Sequence, residues 1–476
     1  MDASAADSAS LVRALARALP AEVIETHISW VLLLPQFAYK IKKPVRLAFL
    51  DYSTPQLRRH FCEEEVRLNR RFAPALYLGV SRVTGTLSQP ALDGAGPVLD
   101  YAVRMRRFPD GSLFSERAAA GTLGEADIDR LAQMLGASHA SAPPTREAAG
   151  AVALSRRALQ ALQGCAAVLP QEERSALRDW IASAGGEVDA LWQARRAAGH
   201  ARECHGDLHL ANLVEVAGEV AAFDCIEFDA GLRCIDVVED VAFTQMDLAA
   251  RGLPALAARF INAWLERTGE YEGLPGLRLC LVYRALVRAM AEHLRGAAGA
   301  AGNYAAQALA WSRAPAPRLA ITHGLPGSGK TWRSQRWLEA QGGIRLRSDV
   351  ERKRLFGLEA LAGSHGRGLA IYTGDATQRT YARLFTLARL ALRAGWPVVL
   401  DAAFLREDER AQAQALATAL GVPFSILGCE APLDVLRQRL AARQGDASEA
   451  DGSVLEKLRA TAQPLRPDEC ALLEAA

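Results

Sequence analysis

A glycine-rich loop between an apolar run and an amphipathic segment constrains the fold of this 476-residue chain more than any other feature. The loop, Gly324-Leu-Pro-Gly-Ser-Gly-Lys330-Thr331, fits the pattern G-x-x-x-x-G-K-[ST] and directly follows Leu319 to Thr322. In this context the glycines let backbone N–H groups face phosphate oxygens, the lysine reaches the outer phosphates and the threonine ligates Mg²⁺. The sequence therefore predicts a strand–loop–helix unit for a triphosphate, with these contacting residues: Gly324, Gly327, Ser328, Gly329, Lys330 and Thr331.

Beyond this loop, short apolar runs alternate with helical segments, which is typical of a parallel α/β sheet. Ligands bind at the carboxyl ends of the strands in such sheets, and two acids stand at predicted strand ends. Asp349 ends the strand predicted around Ile344 to Leu346, and we expect it to act as general base on an acceptor hydroxyl. Asp401 closes the next apolar strand and is expected to orient Mg²⁺, although it could instead cap a helix.

Three arginines in this half could contact anions. Arg352 could hold an anionic acceptor or a transition-state oxygen, but it stands in a run with Lys353 and Arg354, where one or more side chains could simply be solvated. Arg439 and Arg443 are four residues apart, so one helical face could present both to the phosphates as a lid. A plain surface helix is the alternative.

A second group of polar residues stands earlier in the chain, in His205-Gly-Asp-Leu-His-Leu-Ala-Asn212. Asp207 and Asn212 match the spacing H-x-D-x-x-x-x-N, and Asp224 follows Asp207 by seventeen residues. In this arrangement the loop aspartate accepts the proton of an attacking hydroxyl, while the asparagine and the later aspartate hold Mg²⁺ against nucleotide phosphates. We therefore predict Asp207 to be catalytic and Asn212 and Asp224 to be metal ligands.

A lysine–glutamate pair is predicted upstream, in a β-rich segment that precedes a longer α-rich one. Lys40 has the A-x-K form of a nucleotide-binding lysine, and Glu65 on the next helix could pair with it. Lys42 shares the strand face of Lys40, and Glu63 and Glu64 adjoin Glu65, so both choices have competitors.

These motifs resemble known families. H-G-D-x-H-x-x-N with a downstream aspartate resembles the aminoglycoside phosphotransferase family over about residues 22–310, which implies a two-lobed protein-kinase-like fold and phosphorylation of small-molecule hydroxyls. Within it Asp240 is expected to brace the catalytic loop, and no glycine-rich nucleotide loop precedes Lys40. Residues from about 316 to 465 resemble P-loop kinases related to gluconate kinase, and Ser348, Asp349 and Arg352 resemble an element of polynucleotide 5'-kinases and zeta-toxin kinases. The order of the halves resembles bifunctional aminoglycoside phosphotransferase/ATP-binding proteins.

The fold class expected is thus an α+β protein-kinase-like domain followed by an α/β P-loop domain with a parallel sheet. A Gly-Ala tract and Ala314-Pro-Ala-Pro317 suggest the limits 1–313, 314–317 (linker) and 318–476. The 56 basic and 54 acidic side chains leave a net charge of +2, which gives a nucleic-acid 5' end little support as a partner. No run reaches the about 18 apolar residues of a membrane helix, and no signal peptide or zinc-like cysteine pair is visible, so we expect a cytoplasmic protein without a membrane partner.

The expected function is phosphoryl transfer from ATP, with Mg²⁺, to a hydroxyl-bearing acceptor at each of two sites. One alternative is a P-loop kinase regulated by an inactive kinase-like lobe, and another is an ATP-hydrolysing switch without an acceptor.

Overall fold

The computed structural model describes residues 3–47, 50–145, 154–313, 316–363, 371–442 and 447–474. They group into two compact units. The first comprises Met1–Leu123, Ala137–Ala153 and Ala194–Thr244, and the second Gly124–Gly136, Leu154–Gln193 and Gln245–Ala476. Ala314 and Pro315 of the predicted linker lie outside the described residues, and the limits 1–313 and 318–476 stay a prediction.

Strands and helices are numbered in chain order. The strands are β1 (Glu22–Glu25), β2 (Ser29–Leu33), β3 (Phe37–Lys42), β4 (Arg46–Leu47), β5 (Leu50–Asp51), β6 (Tyr77–Gly85), β7 (Pro90–Leu92), β8 (Val98–Arg106), β9 (Ala201–Glu203), β10 (Leu213–Val216), β11 (Glu219–Ala222), β12 (Cys234–Asp236), β13 (Leu319–His323), β14 (Ile344–Arg347), β15 (Val398–Asp401) and β16 (Phe424–Gly428). The helices are α1 (Ala3–Ala18), α2 (Pro55–Asn69), α3 (Phe114–Ala119), α4 (Glu125–Ser141), α5 (Leu154–Gly164), α6 (Gln171–Ala197), α7 (Ala230–Arg233), α8 (Val237–Ala250), α9 (Pro254–Thr268), α10 (Leu274–Leu294), α11 (Ala298–Ser312), α12 (Lys330–Gln341), α13 (Ser348–Leu355), α14 (Gly374–Arg393), α15 (Glu407–Leu420), α16 (Leu433–Ala441), α17 (Gly452–Thr461) and α18 (Pro467–Cys470).

The first unit is built on an antiparallel sheet, which in the described residues has the order β1-β2-β3-β8-β6-β7. Leu32 of β2 and Ile41 of β3 are fully buried in its core. Helix α2 packs on β6 and β8, and Thr54 caps it by accepting a hydrogen bond from the Leu57 amide at 3.2 Å. The helix begins after Thr54 because the threonine oxygen satisfies an amide that has no partner within the helix.

Two small antiparallel pairs in the same unit carry the polar loop. Strand β9 pairs with β12, and β10 pairs with β11. The loop from His205 to Asn212 connects β9 to β10 and ends in a one-turn 3-10 helix, Leu210–Asn212. Asp224 lies two residues after the end of β11, and the amide of the intervening Phe223 donates to the Asn212 carbonyl at 3.0 Å, so the β10–β11 hairpin returns the chain to this loop.

The second unit contains a parallel sheet of order β14-β15-β13-β16, again within the described residues. Strand β13 pairs in parallel with β15 and β16, and the glycine-rich loop connects β13 to α12. Ala320, Leu338 and Val399 lie in one buried cluster between this sheet and its helices. The expected fold class is thus confirmed: a kinase-like antiparallel lobe with α-helices, followed by a P-loop sheet.

Among the residues described, we find no helix whose length and apolar character would let it cross a bilayer.

Candidate active sites

The predicted lysine, helix glutamate and downstream aspartate meet in what we call the first site, defined by Lys40, Glu65, Asp207, Asn212 and Asp224. The Lys40 ammonium lies 3.0 Å from Glu65 Oε1 and also pairs directly with Asp224. Glu65 is fully buried. Glu63 and Glu64 are not: each pairs with an arginine of the same helix, Arg59 and Arg67, whose side chains are about half exposed. The packing face of α2 therefore selects Glu65 among the three glutamates.

Lys42, the competitor of Lys40, belongs to the same buried charge network. Its ammonium lies 2.6 Å from Glu65 Oε2 and also pairs with Glu227. Glu227 in turn accepts a hydrogen bond from the Tyr52 hydroxyl. Glu65 therefore contacts both lysines, one with each oxygen, but only Lys40 also reaches Asp224.

The opposite charges in this network favour the ionised forms of Lys40 and Glu227. Burial alone would lower the pKa of Lys40, but the charges of Asp224 and Glu65 raise it well above the ordinary value. Burial alone would raise the pKa of Glu227, but Lys42 and Lys40 lower it. Two lysines and three carboxylates thus leave an excess of one negative charge, which favours an added cation.

The loop between β9 and β10 joins the proposed base to the proposed metal ligand. The Asn212 side-chain amide donates to the Asp207 carboxylate at 3.0 Å and to the Asp207 carbonyl at 2.9 Å. His209 Nε2 lies 3.3 Å from the same carboxylate. The Asp207 side chain remains about one-third exposed, so an acceptor from solvent can reach it.

The Asp240 carboxylate holds the start of the His205–Asn212 loop in place. It accepts hydrogen bonds from the amides of Gly206 at 2.8 Å and His205 at 3.2 Å, which confirms the bracing predicted for Asp240. Burial alone would raise the pKa of Asp240, but a hydrogen bond from His139 lowers it. Gly206 has φ +86°, and a Cβ there would lie 2.7 Å from the Leu232 carbonyl oxygen. Only glycine fits this turn.

Asp224 has a constrained backbone. Its φ is +62°, which is uncommon for a residue with a side chain, and its amide donates to the Tyr77 hydroxyl at 3.1 Å. Such strain persists only where the surroundings fix it, and it is often found at functional sites. The Asp224 side chain is 44% exposed, so its carboxylate is available to a cation.

The second site is the glycine-rich loop with the ends of β14 and β15. Gly324 has φ +155°, and a Cβ there would lie 2.2 Å from the Cys429 carbonyl oxygen. Gly327 and Gly329 are also left-handed, at φ +81° and +94°. The Lys330 ammonium donates to the Leu325 carbonyl at 2.8 Å, so it curls back over the loop.

Observations inside this loop fit a nucleotide phosphate with Mg²⁺. The Ser328 hydroxyl is buried without a hydrogen-bond partner among the described residues. Ser334 on α12 donates to Asp401 at 3.2 Å and to the Thr331 carbonyl at 3.1 Å, which holds the two predicted metal-site residues together. Oxygen donors of this kind suit Mg²⁺.

Asp349 and Arg352 share a wall of the cleft above the loop. The predicted strand end at Asp349 is wrong, because β14 stops at Arg347 and Asp349 lies in the first turn of α13. Arg352, one turn later, is 7% exposed and donates to Thr377 Oγ1 at 3.2 Å. Its Nε is buried without a partner among the described residues, and its guanidinium lies 5.3 Å from the centre of the Tyr372 ring.

Of the two predicted lid arginines, Arg439 donates to the Gly327 carbonyl at 3.1 Å. Arg443 lies outside the described residues. The second-site residues line one cleft of about 1440 Å³, among them Lys330, Thr331, Asp349, Arg352, Asp401 and Arg439.

Sequence reasoning missed several side chains that shape these sites. Glu227 and Tyr52 of the first site have no motif of their own, and only their contact with Lys42 identifies them. His139 is separated from Asp240 by about a hundred residues, and no spacing rule could have paired them. Lys42 was visible as an alternative, because residues two apart share a strand face.

Comparison with known proteins agrees with both halves. Residues 51–280 match the phosphotransferase enzyme family, and residues 319–465 match a family described as an AAA domain. Across 456 residues the chain is 31% identical to Uncharacterized protein Rv2004c of Mycobacterium tuberculosis, covering 92% of this chain and 89% of the relative. The chain belongs to the same family as this relative, and in this chain a phosphotransferase domain precedes a P-loop kinase domain.

Two solved kinase structures are similar to parts of this chain. Choline kinase from Cryptosporidium parvum covers 61% of this chain and 87% of its own, with 12% identity and a TM-score of 0.38. A sugar kinase from Janibacter sp. covers 32% of this chain and 82% of its own, with 21% identity and a TM-score of 0.25. The two domain types make the protein an ATP-binding phosphotransferase.

Proposed function

We propose that this protein carries two phosphotransferase sites, one in residues 1–313 and one in residues 318–476, each transferring the γ-phosphate of Mg-ATP to a hydroxyl group. The acceptor of the first site is a small molecule, and that of the second is a small molecule or a nucleotide or polynucleotide end. The eight free cysteines suit a reducing compartment, and we propose the cytoplasm as its location. The observation that carries the proposal is that each site contains a lysine, side-chain oxygens of the kind that Mg²⁺ prefers and a carboxylate that is not fully buried.

In the first site, Lys40 is the proposed contact for the α and β phosphates. Its direct pair with Asp224 means that a nucleotide must take over the ammonium, which leaves the aspartate to ligate a cation. Glu65 then keeps Lys40 in place, since it contacts the ammonium from the side of α2. Asn212 and Asp224 are the proposed Mg²⁺ ligands.

Asp207 is the proposed general base of the first site. Its carboxylate is hydrogen-bonded to Asn212 and close to His209, so its direction is fixed before an acceptor arrives. Proton abstraction requires a carboxylate at hydrogen-bond distance from the hydroxyl, and the partial exposure of Asp207 permits that approach. Catalysis then consists mainly of positioning and charge neutralisation.

In the second site, the loop from Gly324 to Thr331 is proposed to hold the phosphates, and binding of the nucleotide by Arg439 and Arg443 stays part of the proposal. Thr331 and Asp401 are the proposed Mg²⁺ residues, directly or through water. When bound, Mg²⁺ would neutralise charge on the phosphate oxygens. Asp349 is the proposed base for the acceptor, and Arg352 is proposed to bind an anionic group of the acceptor.

The test is transfer of radiolabelled phosphate from ATP to sugars, aminoglycosides, nucleosides and 5'-hydroxyl RNA. Asp207→Asn should abolish transfer to one set of acceptors and Lys330→Ala transfer to another. Lys43→Ala is a control for the first site. Lys43 follows Lys40 and Lys42 in the chain, but it pairs with the exposed Glu25 and not with a residue of the site. The Lys43→Ala variant should leave all transfer unchanged.

Each result bears on one site. If Asp207→Asn leaves every transfer intact, the first site is not an enzyme and the regulatory alternative replaces the proposal. If Lys330→Ala leaves every transfer intact, the second site is idle. If the protein hydrolyses ATP and no acceptor stimulates the reaction, the result would favour the alternative of an ATP-hydrolysing switch protein.

A further inference from the structure

An exposed tryptophan stands directly beside the glycine-rich loop. Trp332 follows Thr331 in the first turn of α12 and is 68% exposed. Trp337, five residues later on the same helix, is 6% exposed, packs in the core cluster of the parallel sheet and donates its Nε1–H to Glu474 at 3.1 Å. Aromatic side chains contribute strongly both to cores and to binding surfaces. Trp337 therefore stabilises the core, whereas packing in the core does not explain Trp332.

Trp332 lies where two spaces in the second compact unit meet. It lines the main cleft together with Lys330, and it also lines a neighbouring cavity of about 340 Å³. Polar and charged side chains of α4, α9, α12 and β14 form most of the small cavity: Glu125, Arg259, Gln335, Arg336, Glu339 and Arg345. Asp349 and Arg352, the proposed acceptor residues, line the main cleft but are not among the described residues around the small cavity. A group held beside Trp332 therefore leaves the acceptor residues free.

The indole ring of Trp332 is supported by a cation. The Arg336 guanidinium lies 5.9 Å from the centre of the ring, and Arg336 Nη1 donates to Glu339 Oε2 at 3.4 Å. Residues four apart on a helix are neighbours, and a cation near an aromatic face is attracted to its π electrons. This contact leaves most of the ring exposed, so a second flat group can cover it.

We propose that Trp332 is the platform on which the base of the nucleotide stacks in the second site. The proposal rests on the proposed function of that site, in which the loop from Gly324 to Thr331 holds the phosphates. There Lys330 contacts the β and γ phosphates, and the γ-phosphate faces the acceptor. The α-phosphate, the sugar and the base therefore extend away from Asp349 and Arg352, and Trp332 offers an aromatic surface outside that wall.

Stacking sets the kind of effect expected. Every nucleotide base has a π face, so an indole ring adds affinity without selecting one base by hydrogen bonds. The contribution belongs to the base alone, because the phosphates are held by Lys330 and the loop amides. A ligand with the same sugar and phosphates but no base should therefore not depend on Trp332.

The experiment measures, by calorimetry on the full chain, the dissociation constants of Mg-ATP and of Mg-ribose 5-triphosphate, which lacks the base. The parent and every variant carry Asp224→Asn, which removes a proposed metal ligand of the first site. Trp332→Ala should weaken Mg-ATP binding about tenfold and leave ribose 5-triphosphate binding unchanged, since stacking on an aromatic side chain is lost for one ligand only. Trp332→Phe should keep most of the affinity for Mg-ATP, because a phenyl ring also stacks.

Leu294→Ala is the matched control. Leu294 is 70% exposed, lies at the end of α10 in the same compact unit and lines neither space, so its removal should change neither dissociation constant. Tryptophan fluorescence gives a second readout. The difference in emission between the parent and Trp332→Phe should change when Mg-ATP is added and stay constant when ribose 5-triphosphate is added.

The proposal is overturned if Trp332→Ala binds Mg-ATP as tightly as Leu294→Ala does, or if it loses as much affinity for ribose 5-triphosphate as for Mg-ATP. A fluorescence change of equal size with both ligands would overturn it as well. A parent whose Mg-ATP binding is insensitive to Lys330→Ala would instead overturn the proposed function of the second site.

Discussion

The buried network around Lys42 makes the strongest prediction about stability. Lys42 and Glu65 are fully buried and Glu227 is 4% exposed. Removing one partner of a buried ion pair costs about 3–5 kcal/mol, because the other charge stays in a low-dielectric environment. In Lys42→Met, Glu65 keeps its pair with Lys40, whereas the Glu227 carboxylate keeps only the Tyr52 hydroxyl as a direct side-chain partner among the described residues. We therefore expect the lower end of that range, about 3 kcal/mol.

The pH dependence of this loss has a defined sign. In the parent, Lys42 and Lys40 lower the pKa of Glu227, so its stabilisation is present above the unfolded pKa and is lost as the pH falls through the folded pKa. Without Lys42, we expect burial to outweigh the remaining charge of Lys40 and to raise the folded pKa of Glu227 above its unfolded value. The variant should therefore recover stability relative to the parent as the pH falls from 7 to 5.

The assay must report on the first unit alone, because two compact units need not unfold together. Native-state hydrogen exchange at the amides of β3 supplies the local free energy of unfolding. Lys43→Met is the matched control: it removes the neighbouring lysine, whose partner Glu25 is 66% exposed, and should change stability by less than about 1 kcal/mol. The double variant Lys42→Met/Glu227→Gln should be more stable than Lys42→Met.

A loss in Lys42→Met as small as that in Lys43→Met would refute the reasoning. The reasoning would also be refuted if the loss of unfolding free energy in the double variant equalled the sum of the losses in Lys42→Met and Glu227→Gln. Such additivity would mean that Lys42 and Glu227 are not coupled.

Two further predictions concern glycines and thiols. Gly206→Ala should abolish Asp207-dependent transfer and keep Lys330-dependent transfer, and Gly324→Ala should do the reverse, each at a strain of about 1–3 kcal/mol; equal loss of both activities in either variant would contradict this. In alkylation followed by mass spectrometry, the exposed Cys470 should react first, and Cys62, whose pKa burial raises to about 12, should react only on unfolding. Prompt labelling of Cys62 would show that its environment is open.

The elements that carry a local signal were predictable. The apolar strand before Gly324, the threonine cap before α2 and the strand ending at Asp401 each follow from neighbouring residues. The end of β14 was not predictable in the same way. Serine and aspartate are favoured at helix starts, and Ser348 and Asp349 form the first turn of α13 instead of continuing the strand. Spacing identified Lys40, Glu65 and Asp224 as candidates, and their meeting in one place is a property of the fold.

What the sequence could not supply is the set of side chains that hold those candidates. Glu227 and His139 each act on a residue far away in the chain, through contacts that exist only after folding. A motif records the groups that touch a ligand, because their spacing is fixed by the ligand's own geometry. A supporting carboxylate needs only the right distance to its partner, which many chain positions can provide. The charge balance around Lys40 therefore has to be read from the packed structure, and it is there that substitutions outside the motifs should alter nucleotide binding.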